Sequence, residues 1–105
     1  MQVEWSEHAQ NDLAEILHYV SGEFGLSVAN RVKAEIYSDI NALAVFPTMG
    51  VLIHDDNKTQ ISYRTLSSKY HKVVYAIKGE TLFIVTLWNT HRDSDKLITL
   101  LKNFK

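Results

Sequence analysis

The sequence predicts an α+β domain in which a helical hairpin and a short C-terminal helix pack on an antiparallel β-meander that follows an N-terminal strand. Apolar residues recur at spacings of three and four through the first half of the chain, which is typical of amphipathic helices. The second half is rich in valine, isoleucine and aromatic residues in alternating or continuous runs, which is typical of strands. A length of 105 residues fits one compact domain, 1–105.

The first half is predicted to form a short strand and two helices. Val3 and Trp5 alternate with polar residues, and Ser6 can then cap a helix. We expect Ser27 to cap a second helix, which Pro47 ends. The apolar stripes are Ala9, Leu13, Ile16, Leu17 and Val20 in the first helix, and Val28, Val32, Ile36, Ile40 and Leu43 in the second. Each stripe needs a flat apolar surface to cover, which a sheet provides.

The second half is predicted to form the sheet. Residues 61–65 alternate as a half-buried strand does, and residues 70–77 and 81–88 form a β-hairpin around the glycine between them. Their nearly continuous apolar content favours central strands. Residues 50–54 could add a further strand. A terminal helix capped by Ser94 or Asp93 would place its apolar stripe at Leu97, Ile98, Leu101 and Phe104.

Composition excludes several classes of function. The chain has no cysteine, so disulfides, thiolate chemistry and cysteine-type zinc sites are excluded. No apolar run reaches the roughly 18 residues of a transmembrane helix, and the N-terminal residues lack the basic and apolar regions of a signal peptide. Phosphate-binding glycine loops, metalloprotease motifs and nucleophile elbows are absent from the sequence. We therefore expect a cytoplasmic protein without a metal or cofactor.

Charge is divided unevenly along the chain. The formal net charge is −1, but residues 1–50 carry a net −5 and residues 51–105 a net +4. The basic half could meet phosphates or an acidic partner. A sequence pI of about 6.5 nevertheless disfavours binding to bulk nucleic acid, for which basic domains are expected.

The candidate functional residues are cations on or near the predicted meander: Arg64, Lys69, Lys72, His91 and Arg92. Arg64 and Arg92 could clamp a phosphodiester with Lys72 as a further cation, and His91 could act as acid or base near neutral pH. Each also has an ordinary interpretation. Arg64 could be a rim arginine paired with a carboxylate, Lys72 a solvated strand residue, and His91 a residue at the start of a helix.

The order of several short motifs between about residues 3 and 98 resembles the RelE/ParE toxin superfamily. Those motifs are Trp5-Ser6, Asp12-Leu13, Phe46-Pro47-x-Met49-Gly50, Tyr63-Arg64-x-Leu66, Val73-Val74-Tyr75 and His91-Arg92-Asp93. The resemblance implies the toxin of a bacterial type II toxin–antitoxin pair, neutralised by a cognate antitoxin. We expect the antitoxin between the helical hairpin and the sheet edge, with acidic residues near Lys69, Lys72 and Arg92.

The resemblance leaves two activities open. RelE-like members cleave mRNA on the ribosome, and for them it implies that His91, Arg92 and Arg64 are catalytic, with Lys69 and Lys72 assisting phosphate binding. ParE-like members bind DNA gyrase without cleaving RNA. No tyrosine follows Tyr75, whereas the ribonuclease branch tends to carry one near the end of the chain. This favours the gyrase-binding branch, with a metal-independent endoribonuclease as the alternative and an assembly module without toxicity as a third hypothesis.

Overall fold

The computed structural model describes residues 1–68 and 71–89, in which two helices cover one face of a five-stranded sheet. The elements are β1 (Gln2–Trp5), α1 (Glu7–Phe24), α2 (Leu26–Val45), β2 (Val51–Asp56), β3 (Ile61–Ser67), β4 (His71–Lys78) and β5 (Thr81–Asn89). The predicted α+β class, helical hairpin and meander are confirmed. The further strand expected at 50–54 is also confirmed as β2. The predicted terminal helix and its caps lie outside the described residues.

The strand order is β1-β5-β4-β3-β2, so that β1 and β2 form the two edges. The meander β2 to β5 is antiparallel, whereas β1 pairs with β5 in parallel. The antiparallel meander is confirmed, and the N-terminal strand joins it in parallel through β5.

The helix boundaries follow from their capping residues. The prediction for Ser6 is confirmed, because its hydroxyl oxygen accepts a hydrogen bond from the backbone N–H of Ala9 at 2.9 Å. The prediction for Ser27 is wrong, since α2 begins at Leu26 with Gly25 as its cap. Gly25 has φ of 94°, a conformation that glycine adopts without steric cost, and this one residue both ends α1 and begins α2. Ser27 therefore already lies in the first turn of α2.

The main core lies between the helices and the central strands. Apolar side chains at the predicted helical spacing meet those of β4 and β5; the buried members are Ala9, Ile16, Ile36, Ile40, Leu43, Val73, Tyr75, Leu82, Ile84 and Leu87. A second buried cluster contains Tyr63, Val74, Ala76 and Val85. Val73 and Val74 are adjacent in β4 and therefore point to opposite faces of the sheet. The prediction that these strands are central is confirmed.

Neither α1 nor α2 combines the length and the apolar character that a helix needs to cross a membrane.

Candidate functional site

Two side chains of the sheet form hydrogen bonds with the backbone of the turn between α2 and β2. The hydroxyl of Tyr75 donates to the Pro47 carbonyl at 2.7 Å and accepts from the Gly50 N–H at 3.0 Å. The Arg64 guanidinium donates through Nη1 to the Gly50 carbonyl at 2.8 Å and to the Thr48 carbonyl at 3.3 Å. Four hydrogen bonds therefore fix the backbone of this turn, and we call the two side chains the Arg64–Tyr75 clamp.

Burial and charge act on Tyr75 in opposite directions. Burial raises the pKa of the Tyr75 hydroxyl above its usual value, while the hydrogen bond from Gly50 and the charge of Arg64 lower it. Burial has the larger effect, so the phenol keeps its proton at neutral pH. It can then donate to Pro47 and accept from Gly50 at the same time.

The clamp requires glycine at position 50. A Cβ added to Gly50 would lie 2.6 Å from the Tyr75 hydroxyl oxygen and 2.8 Å from the Thr65 carbonyl oxygen. Both distances are shorter than normal van der Waals contacts, so any side chain here would push the turn away from the sheet.

The structure places the two described cations of the predicted site on different faces. Arg64 pairs with Tyr75 across β3 and β4, and Lys72 lies three residues from Tyr75 along β4. Side chains three positions apart on a strand point to opposite faces, so Arg64 and Lys72 are not brought together. Arg64 bonds to carbonyl oxygens, which differs from the carboxylate partner of its ordinary interpretation. Lys69, His91 and Arg92 lie outside the described residues, and their roles stay predictions.

A buried histidine ties the β3–β4 turn to α2. Nε2 of His71 lies 2.9 Å from Oδ2 of Asp39, and the Ser68 hydroxyl donates to the same oxygen at 2.6 Å. In a nucleophilic triad the histidine lies between the serine and the carboxylate, whereas here the carboxylate binds both other groups. Nδ1 of His71 is buried, and no group of the described residues forms a hydrogen bond with it. This arrangement is consistent with a structural role.

Asp12 is a buried charged residue of α1, which sequence analysis named only as part of the Asp12-Leu13 motif. Its Oδ2 accepts from the Thr86 hydroxyl at 2.5 Å and from the Leu87 N–H at 3.1 Å. The register between β4 and β5 shifts at this point and leaves Val85 as an extra residue, a β-bulge. Asp12 therefore satisfies backbone and hydroxyl groups at the bulge. Its spacing of three and four residues from the flanking apolar positions of α1 already placed it on the buried face.

An open groove lies between the helical hairpin and the β1 edge, where the antitoxin is expected. It has a volume of about 440 Å³ and is lined by Trp5 of β1, Gln10 and Leu13 of α1, and Tyr37 of α2. The ring centroids of Trp5 and Tyr37 lie 5.7 Å apart. Trp5 is partly buried, because it packs against the main core and also forms one wall of this groove. Trp88 is 3% exposed, as expected for a core residue.

An exposed apolar surface covers the end of α2, the clamped turn and the start of β2. Its side chains are 40% to 71% exposed and comprise Val45, Phe46, Met49, Val51, Leu52 and Ile53, which we call the apolar strip. The strip lies at the β2 edge of the sheet, whereas the groove lies at the β1 edge. The sequence pattern did not reveal it, because an apolar strand looks the same whether or not another element covers it.

Within the described ranges, no three histidine or acidic side chains are grouped closely enough to hold a metal ion.

Comparisons with known proteins agree with this fold. A family model for the ParE toxin of the type II toxin–antitoxin system parDE matches residues 3–94. A solved structure described as the chromosomal ParDE toxin–antitoxin system from P. aeruginosa is similar, with a TM-score of 0.69 and 18% sequence identity. The similarity covers 85% of this chain and 95% of that chain. The search of curated proteins found no match.

Proposed function

Because this chain belongs to the ParE toxin family of type II toxin–antitoxin systems, we propose that it arrests growth by binding DNA gyrase in the cytoplasm. A cognate antitoxin is its other partner. The proposal rests first on the family match, which covers residues 3–94 and so includes both helices and the whole sheet.

The engagement of Arg64 is the observation that most favours gyrase binding over RNA cleavage. Cleavage through the 2′-hydroxyl of RNA needs cations that stabilise charge developing on the phosphate. The Arg64 guanidinium already holds two carbonyl groups, and Lys72 lies on the opposite face of the sheet. A phosphate bound through Nη1 of Arg64 would therefore compete with these two carbonyl groups of the turn after α2. A toxin that acts by protein contact involves no such competition.

We propose that the antitoxin occupies the groove at the β1 edge. Trp5 and Tyr37 pack against each other and give the groove an aromatic wall, which suits a bulky apolar side chain of a partner peptide. Among the residues that the structure describes, β1 pairs with β5 alone, so its other edge can accept an extended segment. Acidic antitoxin residues near Lys69, Lys72 and Arg92 remain part of this proposal.

Purified toxin provides the direct test of the target. We expect it to inhibit supercoiling by gyrase while leaving ribosome-bound mRNA intact, because the proposed action is binding without phosphodiester chemistry. Both assays should use the same preparation, with toxin–antitoxin complex as the inactive control. Cleavage of mRNA together with unaffected supercoiling would refute the proposal and restore the ribonuclease alternative.

The groove can be tested with a matched pair of tyrosine variants. Tyr37 is 41% exposed and lines the groove, whereas Tyr19 is 56% exposed and does not line it. We expect Tyr37→Lys to weaken antitoxin binding by roughly tenfold or more, as loss of an aromatic anchor does, while Tyr19→Lys leaves it unchanged. The binding partner in this assay is the cognate antitoxin, to be sought in a short open reading frame that abuts this gene. Equal antitoxin affinity in both variants would exclude the groove.

A further inference from the structure

We propose that the apolar strip binds an extended segment of the target protein, which adds a strand to β2 and carries apolar residues followed by lysine or arginine. The inference rests on the proposed function, because it assumes that the target is a protein. It assigns target binding to one edge of the sheet and antitoxin binding to the other.

The free edge of β2 supplies the backbone part of such a site. Within residues 1–68 and 71–89, β2 pairs with β3 alone, so about half of its N–H and C=O groups point away from the sheet. Edge strands are usually protected by charged residues, by proline or by bulges. A bulge at Ile53 is present, but positions 51–53 carry no charged residue, and Val51 is 71% exposed and Leu52 is 47% exposed. This stretch is therefore suited to pairing with a partner strand.

The clamped turn supplies an apolar platform beside that edge. Phe46 is 65% exposed and Met49 is 46% exposed, although the backbone that carries them is fixed by the Arg64–Tyr75 clamp. A surface that is already ordered loses little conformational entropy when a partner binds. Exposed apolar side chains grouped at one end of a fold are typical of protein-binding sites. Val51 and Leu52 pair with the adjacent residues Thr65 and Arg64 and so lie on opposite faces of β2, which means that an added strand would contact one of them on each face.

Two carboxylates at the far end of β2 indicate the charge of the partner. Asp55 is exposed and accepts one hydrogen bond, from the Ser62 hydroxyl at 3.2 Å. Asp56 is held ionised to low pH, because hydrogen bonds from the Thr59 side chain and the Lys58 N–H lower its pKa. Lys58 is the basic residue in the turn that follows, and it offsets one of the two charges. The apolar strip therefore ends in a net negative charge, which favours a basic residue on the partner.

The same charges disfavour a second copy of this chain as the occupant. If two β2 strands paired antiparallel over their full length, Val51 of each copy would face Asp56 of the other. That arrangement would place a carboxylate opposite an apolar side chain at both ends. The antitoxin is already assigned to the groove at β1, which three intervening strands separate from β2.

Charge-introducing variants at matched exposure test the inference. Val51→Lys places a cation in the strip, and Leu26→Lys does the same at the tip of the helical hairpin, where the side chain is 69% exposed. Asp55→Lys reverses the charge at the end of β2, with Glu23→Lys as the exposed acidic control on α1. Each variant should first show the unfolding midpoint of the parent, because all four side chains are exposed.

Three measurements on these folded variants separate the occupants: affinity for each purified gyrase subunit, affinity for the antitoxin, and the molar mass of the free toxin. We expect Val51→Lys and Asp55→Lys to weaken gyrase binding by roughly tenfold or more, while the two controls and all antitoxin affinities stay within about twofold. Gyrase binding that is unaffected by both strip variants would overturn the inference, with the proposed function intact. Selective loss of antitoxin binding or of a toxin dimer would also overturn it, whereas a parent toxin that binds no gyrase would refute the proposed function itself.

Discussion

Replacing Gly50 with alanine should destabilise the protein more than any other single methyl addition among its glycines. The new Cβ would meet the Tyr75 hydroxyl at 2.6 Å and the Thr65 carbonyl at 2.8 Å. Insertion of a methyl group into a packed site costs about 1 to 3 kcal/mol, and displacement of the turn adds about 1 kcal/mol for each hydrogen bond lost. The lower entropy of unfolded alanine returns up to about 1 kcal/mol. If one hydrogen bond is lost, these contributions give a net loss between about 1 and 4 kcal/mol, with a middle value of about 2 to 3 kcal/mol.

Chemical and thermal unfolding measure this loss directly. For a domain of this size, about 2 to 3 kcal/mol corresponds to a fall in Tm of roughly 10 to 20 °C. Gly22→Ala is the matched control, because Gly22 lies within α1 and a Cβ there would meet nothing within 4 Å. It should stabilise the protein by about 0.5 to 1 kcal/mol through higher helix propensity.

A double variant then attributes the effect to the clamp. Tyr75→Phe removes the hydroxyl that the new Cβ would strike, although the Thr65 carbonyl and the ring carbon Cε1, 2.9 Å from that Cβ, remain in place. Gly50→Ala should therefore cost less in the Tyr75→Phe background than in the parent. If Gly50→Ala has the unfolding midpoint of the parent, the close packing described for this turn is incorrect. If its cost is the same in both backgrounds, the tyrosine hydroxyl is not the group responsible.

Three further predictions concern groups that hold the fold together. Asp12→Ala should lower the free energy of unfolding by about 2 to 4 kcal/mol, because it leaves the buried Leu87 N–H unpaired; equilibrium denaturation checks this, and a loss below about 1 kcal/mol would argue against the bulge contact. Ser6→Ala should cost about 1 to 2 kcal/mol in the same assay, since it removes the cap of α1 and a hydrogen bond to the Val85 carbonyl at 2.8 Å; an unchanged midpoint would contradict it. Because the pKa of Asp56 is lowered from 3.8, its contribution to stability is present above that value and is lost as the pH falls through the lower pKa of the folded state; Asp56→Asn should weaken the acid dependence of unfolding below about pH 4, and an identical dependence in both proteins would count against this.

Helical periodicity predicted the parts of the fold that depend on one buried face. Ala9, Ile16, Ile36, Ile40 and Leu43 were all placed on apolar stripes, and all are buried against the sheet. This succeeds because a helix with one face in the core must repeat its apolar residues every three or four positions. The same rule shows in retrospect why Asp12 is buried: it shares the face of Ala9 and Ile16 and is accepted there only because the β5 bulge supplies donors.

Features that depend on distant parts of the chain were not predictable in the same way. The parallel direction of β1 is set by its pairing with β5, which lies at the other end of the meander in sequence, and no residue of β1 indicates that pairing. Tyr75 was expected to pack in the sheet and does so, but its hydrogen bonds to Pro47 and Gly50 join positions 25 to 28 residues apart. The exposure of Val51 likewise depends on which strands lie beside β2, and local pattern contains no information about neighbours.

The pairing of β1 with β5 also has a consequence for the folding of the toxin during translation. Gln2 pairs with Thr81 and Trp5 with Ile84, so β1, the first strand to leave the ribosome, cannot pair until β5 has also been synthesised. Contacts this far apart in sequence form slowly. The groove that Trp5 lines is therefore complete only once β5 has left the ribosome, and a partner that binds there would have to wait for that strand.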